Sequence, residues 1–184
     1  FTITPVFIIC NDNNNKYRPL VTKTSGGGNA AITYFIDWYG TNSTRILRCH
    51  ISNGTILQGI TSSFDFNEQW NHIIYTFDGM KHKLYINGEQ YGSSITQTIS
   101  AQILETAINI GRGFGGNYIW DGLIDEVKIY NRALSNAEAN AEYNKIFNQF
   151  KIKNSEKGLI GYWKLEDNTI DDSGNENNGE TYTP

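Results

Sequence analysis

Five oxygen-bearing side chains crowd one Gly-bounded stretch near the C-terminus: Asp171, Asp172, Ser173, Asn175 and Asn178, in the run DDSGNENNG. Hard oxygens at this density are what Ca²⁺ requires, since it takes roughly six to eight of them, some from backbone carbonyls. The candidate ligands are Asp171, Asp172 and Asn175, with Asp125 from an earlier segment; the EF-hand pattern is absent. The same residues also build Asx turns without any metal, so both readings stand. Asp125 and Glu126 either lie near that loop or fix a sheet edge by hydrogen bonding. Glycan hydrolysis would need two carboxylates about 5 Å or about 6.5–9.5 Å apart across a groove. The nearest acidic sets, Asp125-Glu126 and Asp171-Asp172, are adjacent in sequence, and neighbours on an extended strand point to opposite faces. The three histidines, His50, His72 and His82, suggest no Ser/His/Asp arrangement. The glycines at 111–116 do not lead into a helix, so no phosphate cradle is expected. These residues argue against an enzyme.

The elements that must position such groups read as strands. Charged residues are 18% and aromatic residues 13% of the 184-residue chain, too little charge for long solvated helices and ample material for short strands. Strands are expected over 1–10, 20–24, 30–39, 44–51, 55–60, 70–77, 81–86, 118–130 and 158–165, with a short one, AINIGR, within 103–112. Pro5 marks the first as an edge or an irregular position. The run 11–19 reads as a polar loop. Asn53-Gly54, Asp78-Gly79 and Asn87-Gly88 are hairpin turns. One helix is expected over 135–147, opened by a capping box of Ser135 and Glu138. Trp70, Ile73, Tyr75, Phe77, Leu84 and Ile86 recur at strand spacing and should face a core, as should Trp120, Ile124, Val127, Ile129, Leu159, Ile160, Tyr162 and Trp163. The fold class is all-β: a two-sheet antiparallel sandwich with one short helix.

The net charge of -4, without a basic patch, argues against nucleic acid as a partner. No apolar run is long enough to span a membrane. The chain begins FTITPVF, without Met, and reads as a fragment or mature product, with any targeting signal outside it. Cys10 and Cys49 are either two small buried hydrophobes or one strand-to-strand disulfide in an exported protein.

Three segments resemble laminin-G-like, pentraxin-like jelly rolls of the concanavalin A-like type. WNHIIYTFDGMKHKLYINGEQ at 70–90 is similar to their D-G and Y-I-N-G hairpin. IWDGLIDEVKIYNRALSNAEANAEYN at 119–144 resembles their closing strand and short helix. GLIGYWKLEDNTIDDSGNENNGE at 158–180 resembles their opening strand and the loop that follows. The order differs from the family, because the opener comes last. The expected organisation is a main body over 1–150, a linker over 151–158, and an opening-type strand with its polar loop over 159–184. That last piece either completes the same sandwich, as in a permuted domain, or starts the next repeat. In both cases the 159–165 strand should pack beside the 123–130 strand.

The resemblance implies ligand recognition on rim loops or on a concave sheet face. On that basis the candidate ligand-binding residues are Trp38, Tyr39, Arg45, His50, Phe114, Asn117 and Tyr118. Aromatic rings would stack on sugars, while Asn, Arg and His would bond hydroxyls; the alternative is ordinary solvent-facing residues. The family also implies a structural calcium at an edge near the 171–178 loop. Its hydrolases carry an E-x-D-x-x-E run that this sequence lacks. The implied role is a non-catalytic carbohydrate-binding or adhesion module of a larger extracellular, cell-surface or virion-surface protein. Its partner would be a glycan or a surface glycoprotein. The alternative is a structural module that joins neighbouring repeats or copies by exchanging the 159–165 strand.

Overall fold

A computed structural model describes residues 1–9, 16–41, 44–64, 70–113, 118–148, 158–165 and 168–181. Its strands are β1 (Thr2–Ile9), β2 (Lys16–Thr24), β3 (Ile32–Thr41), β4 (Thr44–Ser52), β5 (Leu57–Ser62), β6 (Asn71–Phe77), β7 (Lys81–Ile86), β8 (Glu89–Gln90), β9 (Ile95–Thr96), β10 (Ile108–Ile110), β11 (Gly122–Tyr130) and β12 (Leu159–Trp163). One helix, α1 (Asn136–Asn148), precedes the last strand. Two antiparallel sheets face each other. One runs β12-β11-β1-β6-β7-β8, with β9 also on β7; the other runs β10-β2-β3-β4-β5.

The core follows the two-residue period of the strands. Tyr34, Ile36 and Trp38 of β3, with Leu47, Cys49 and Ile51 of β4, pack against Ile73, Tyr75 and Phe77 of β6, Leu84 and Ile86 of β7, and Val127 and Ile129 of β11. Most of the expected core residues lie there. Trp70 does not: it precedes β6 and is 39% exposed. Tyr162 also turns outward, where its hydroxyl donates to Glu126 at 2.7 Å. Cys49 is buried with a free thiol, while Cys10 lies outside the described residues.

β1 is central rather than an edge, since it pairs with both β11 and β6. Pro5 fits there because the register on β11 slips between Thr4 and Val6, a bulge where no ladder donor is needed. β12 lies beside β11 of its own chain, with Val127 opposite Trp163 and Lys128 opposite Tyr162. The hairpins form at the expected dipeptides. At Asn87-Gly88 both residues have positive φ, 50° and 84°, as a tight turn of that kind requires. Gly88 is also fixed by packing, because a Cβ there would stand 2.6 Å from the Tyr143 ring.

The capping box forms as read. Ser135 N–H donates to Glu138 Oε2 at 2.8 Å, and Glu138 N–H donates to Ser135 Oγ at 3.3 Å. α1 then covers the outer face of the seven-stranded sheet. Ala139 packs on Ile74 and Tyr85, Glu142 pairs with Lys128 at 3.1 Å, and Tyr143 stacks on His72. No helix among the described residues is long and apolar enough to cross a membrane. Among the described residues no helix covers the outer face of the five-stranded sheet, and the candidate site lies there.

Candidate functional site

Strand parity decides which side chains reach that outer face. Because Ile36 and Trp38 point inward, Phe35, Asp37 and Tyr39 point outward. Because Leu47 and Cys49 point inward, Arg48 and His50 point outward. The β3–β4 register places Asp37 opposite Arg48 and Phe35 opposite His50. On the other side of β3, Tyr17 stands opposite Tyr39 and Pro19 opposite Asp37. A register slip between Pro19 and Val21 lets both Leu20 and Val21 enter the core while Pro19 and Thr22 stay on the outer face.

The result is a groove of about 340 Å³, lined by Tyr17, Pro19, Phe35, Asp37, Arg48 and Tyr118 among others. Tyr17 and Tyr118 form its aromatic rim, 40% and 41% exposed, with ring centroids 5.7 Å apart and nearly perpendicular. Tyr39 packs on Tyr17 at 4.9 Å. The segment bearing Tyr118 is tied down by Gly113 N–H donating to Tyr118 O at 2.8 Å, and by Arg18 Nη1 donating to Ile119 O at 3.1 Å. In the floor, the Arg48 guanidinium lies 4.6 Å from the Tyr17 centroid and 5.0 Å from that of Phe35. It forks onto Asp37: Nε donates to Oδ1 at 2.8 Å, and Nη2 donates to Oδ2. Burial pushes the Asp37 carboxyl up, and Arg48 pulls it only part of the way back. His50 sits edge-on to Phe35 and shares a hydrogen bond with Thr61 at 3.2 Å. Burial, then the nearby Arg48 charge, pushes His50 down to about 4, so it is neutral at pH 7.

Of the candidates chosen from sequence, Tyr39, His50 and Tyr118 belong to this face. Trp38 does not. It is 1% exposed and turned into the core, because its neighbours Asp37 and Tyr39 hold the outward phase. The backbone of Arg45 lies on β4 opposite Gly40, but its side chain is outside the described residues, as are Phe114 and Asn117. Tyr17, Phe35, Asp37 and Arg48 were missed. Tyr17 falls in the run read as a loop, although β2 already starts at Lys16. Asp37 carried a usable signal: it is the one charge in β3, and such a residue marks the solvent phase.

The 168–181 loop is occupied in a different way. Asp171 is 5% exposed, and its carboxylate accepts three backbone N–H groups: Tyr162 at 2.7 Å and Ser173 at 2.9 Å on Oδ1, and Asn177 at 3.0 Å on Oδ2. Burial raises its pKa, but the Ser173 hydroxyl first, and then these backbone N–H groups, outweigh that and leave it below the usual value. Asp172 pairs with Lys164 at 3.1 Å, and its N–H donates to Tyr162 O at 2.7 Å. Asn175 and Asn177 donate to the carbonyls of Leu159 and Ile160 at 3.0 and 2.6 Å. Asp125 accepts from Glu126 N–H at 2.8 Å. These residues do not fit a calcium ion. N–H groups converge on the one well-buried carboxylate, and they would repel a cation there. Among the described residues, no three His, Cys, Asp or Glu side chains group to hold a metal. The loop instead satisfies the outward backbone groups of β12, an otherwise open sheet edge.

The family profile of the concanavalin A-like lectin/glucanases superfamily matches residues 6–140. No curated protein sequence matches the chain. Several solved structures share the fold at low identity. A provisionally assigned carbohydrate binding protein from Bacteroides ovatus aligns at TM-score 0.60 and 16% identity, over 90% of this chain and 45% of that one. The enzymatically active domain of bacteriophage CBA120 tailspike protein 2 aligns at 0.65 and 12%, over 90% and 26%. The CBM40 of a Ruminococcus gnavus sialidase, bound to α2,3-sialyllactose, aligns at 0.57 and 19%, over 77% and 81%. The chain thus spans less than half of the first two and most of the third.

Proposed function

Since the chain belongs to the concanavalin A-like lectin/glucanase superfamily, we propose that it is a non-catalytic glycan-binding module of a larger surface-exposed or extracellular protein. The observation that carries this reading is the groove on the five-stranded sheet, where Tyr17 and Tyr118 stand exposed above a hydrogen-bonding Asp37–Arg48 floor. Exposed aromatic rings present flat apolar faces to the C–H faces of a sugar, and a few placed polar groups then fix its hydroxyls. Non-catalytic action is supported by the lining. Among the described residues it holds one carboxylate, Asp37, already tied to Arg48, whereas glycoside hydrolysis uses two. The carbohydrate-binding protein and the CBM40 among the structural neighbours agree with the reading. A glycan array run in calcium and again in EDTA tests it. We expect equal binding in both buffers, lost in Tyr17→Ala/Tyr118→Ala. Absence of binding by the folded protein would remove the proposal.

A further inference from the structure

We propose that the groove selects an uncharged sugar, with Asp37 and Arg48 acting as one neutral pair that recognises adjacent hydroxyls. This rests on the glycan-binding reading above. Among the described residues, the lining of the groove carries two charges, and they are opposite and directly paired. Arg48 cannot serve as a free cation for a carboxylate ligand, because the Asp37 carboxylate already occupies its fork. An incoming sugar carboxylate would meet Asp37 at the same place and would give up its water for no net attraction.

A neutral sugar meets no such penalty. Guanidinium has five N–H donors; Asp37 uses two of them, and the Tyr17 hydroxyl engages the group as well. A carboxylate oxygen can accept more than one hydrogen bond, so Asp37 keeps acceptor capacity beside the remaining donors. Donor and acceptor therefore lie side by side, and a sugar hydroxyl both donates and accepts. Two neighbouring hydroxyls can span the pair. The geometry is set before the ligand arrives, because Arg48 is held between Tyr17 and Phe35 as well as by Asp37. Asp37 is thereby a specificity-determining residue: it cancels the charge that would otherwise draw acidic glycans.

Calorimetric titration of the whole chain with matched probes tests this: lactose against 3′-sialyllactose, and galactotetraose against tetragalacturonate. We expect a neutral probe to bind at least about 10-fold tighter than its acidic counterpart. Its Kd should change less than about 2-fold between about 50 and about 500 mM NaCl, since screening acts on net charge. Asp37→Asn keeps the side-chain shape and frees the Arg48 charge. It should shift the ratio toward the acidic probe by about 10-fold and make that binding salt-sensitive. Tighter binding of the acidic probe by the wild-type chain would overturn the inference and leave the glycan reading intact. No shift in a folded Asp37→Asn protein would overturn the role of Asp37. If it fails to fold, the wild-type ratio and salt response still decide. Binding of no glycan, on these probes or on the array, would overturn both.

Discussion

Replacing Asp171 with Ala tests whether the acidic loop is a structural clasp or a metal site. The substitution removes the acceptor for the N–H groups of Tyr162, Ser173 and Asn177, at 2.7, 2.9 and 3.0 Å. A hydrogen bond to a charged group contributes about 1.5–3 kcal/mol. Water can reach the Ser173 and Asn177 amides once the loop loosens, so those two bonds are mostly replaced. The Tyr162 amide lies on the β12 edge and loses its partner, and Asp172 and Asn177 lose their hold on that strand. We expect a loss of about 2–4 kcal/mol. At a urea m-value of about 2 kcal/mol/M this moves the midpoint down by about 1–2 M. Because the folded pKa of Asp171 lies below the ordinary 3.8, its contribution is complete above that value and is lost as the pH falls through the lower folded value. Urea melts at pH 7, with and without EDTA, are the assay. Asp171→Ala should lower the midpoint while EDTA leaves the wild type unchanged. A change under about 0.5 kcal/mol, or a wild-type midpoint raised by calcium and lowered by EDTA, would refute the clasp.

Further expectations follow from burial. Trp38→Ala should cost about 3–5 kcal/mol in urea melts, as a large core deletion does, and any loss of binding should track unfolding. His72 is fully buried, and desolvation, then Lys128, pushes its pKa down to about 3. As pH falls below the ordinary 6.5, the unfolded chain takes up a proton that the folded chain refuses. Stability should therefore drop by up to about 1.4 kcal/mol per pH unit until the folded value is reached, and melts from pH 7 to pH 4 should be flatter in His72→Gln. Cutting the chain before β12 exposes the β11 edge and empties the Trp163 site, so light scattering should show association.

Much of the fold was legible because turn chemistry and strand period agree. The Asn-Gly and Asp-Gly dipeptides sit where the chain reverses, Ser135 and Glu138 open the helix, and the 159–165 strand lies on β11 as expected from its displaced position in the sequence. The site was harder. Along β3 both phases are apolar and aromatic, so the choice between Trp38 and Tyr39 had to come from Asp37, the one charge in the run. Tyr17 follows an Asn-rich stretch that obscures the start of β2. The Asp37–Arg48 pair required the register as well, which the pairing of Thr41 with Thr44 across a two-residue connection sets. The acidic loop was ambiguous for a different reason. Asp, Ser and Asn near glycine serve a cation or an Asx turn equally, and only the convergence of backbone N–H groups on Asp171 separates the two.

The most direct measurement is a titration of the ¹⁵N-labelled chain with its best neutral array ligand, followed by amide chemical shifts. We expect the shifts to concentrate at Tyr17, Phe35, Asp37, Arg48 and Tyr118, on the outer face of the five-stranded sheet. Shifts confined to the 168–181 loop or to the helix-covered sheet would contradict that placement.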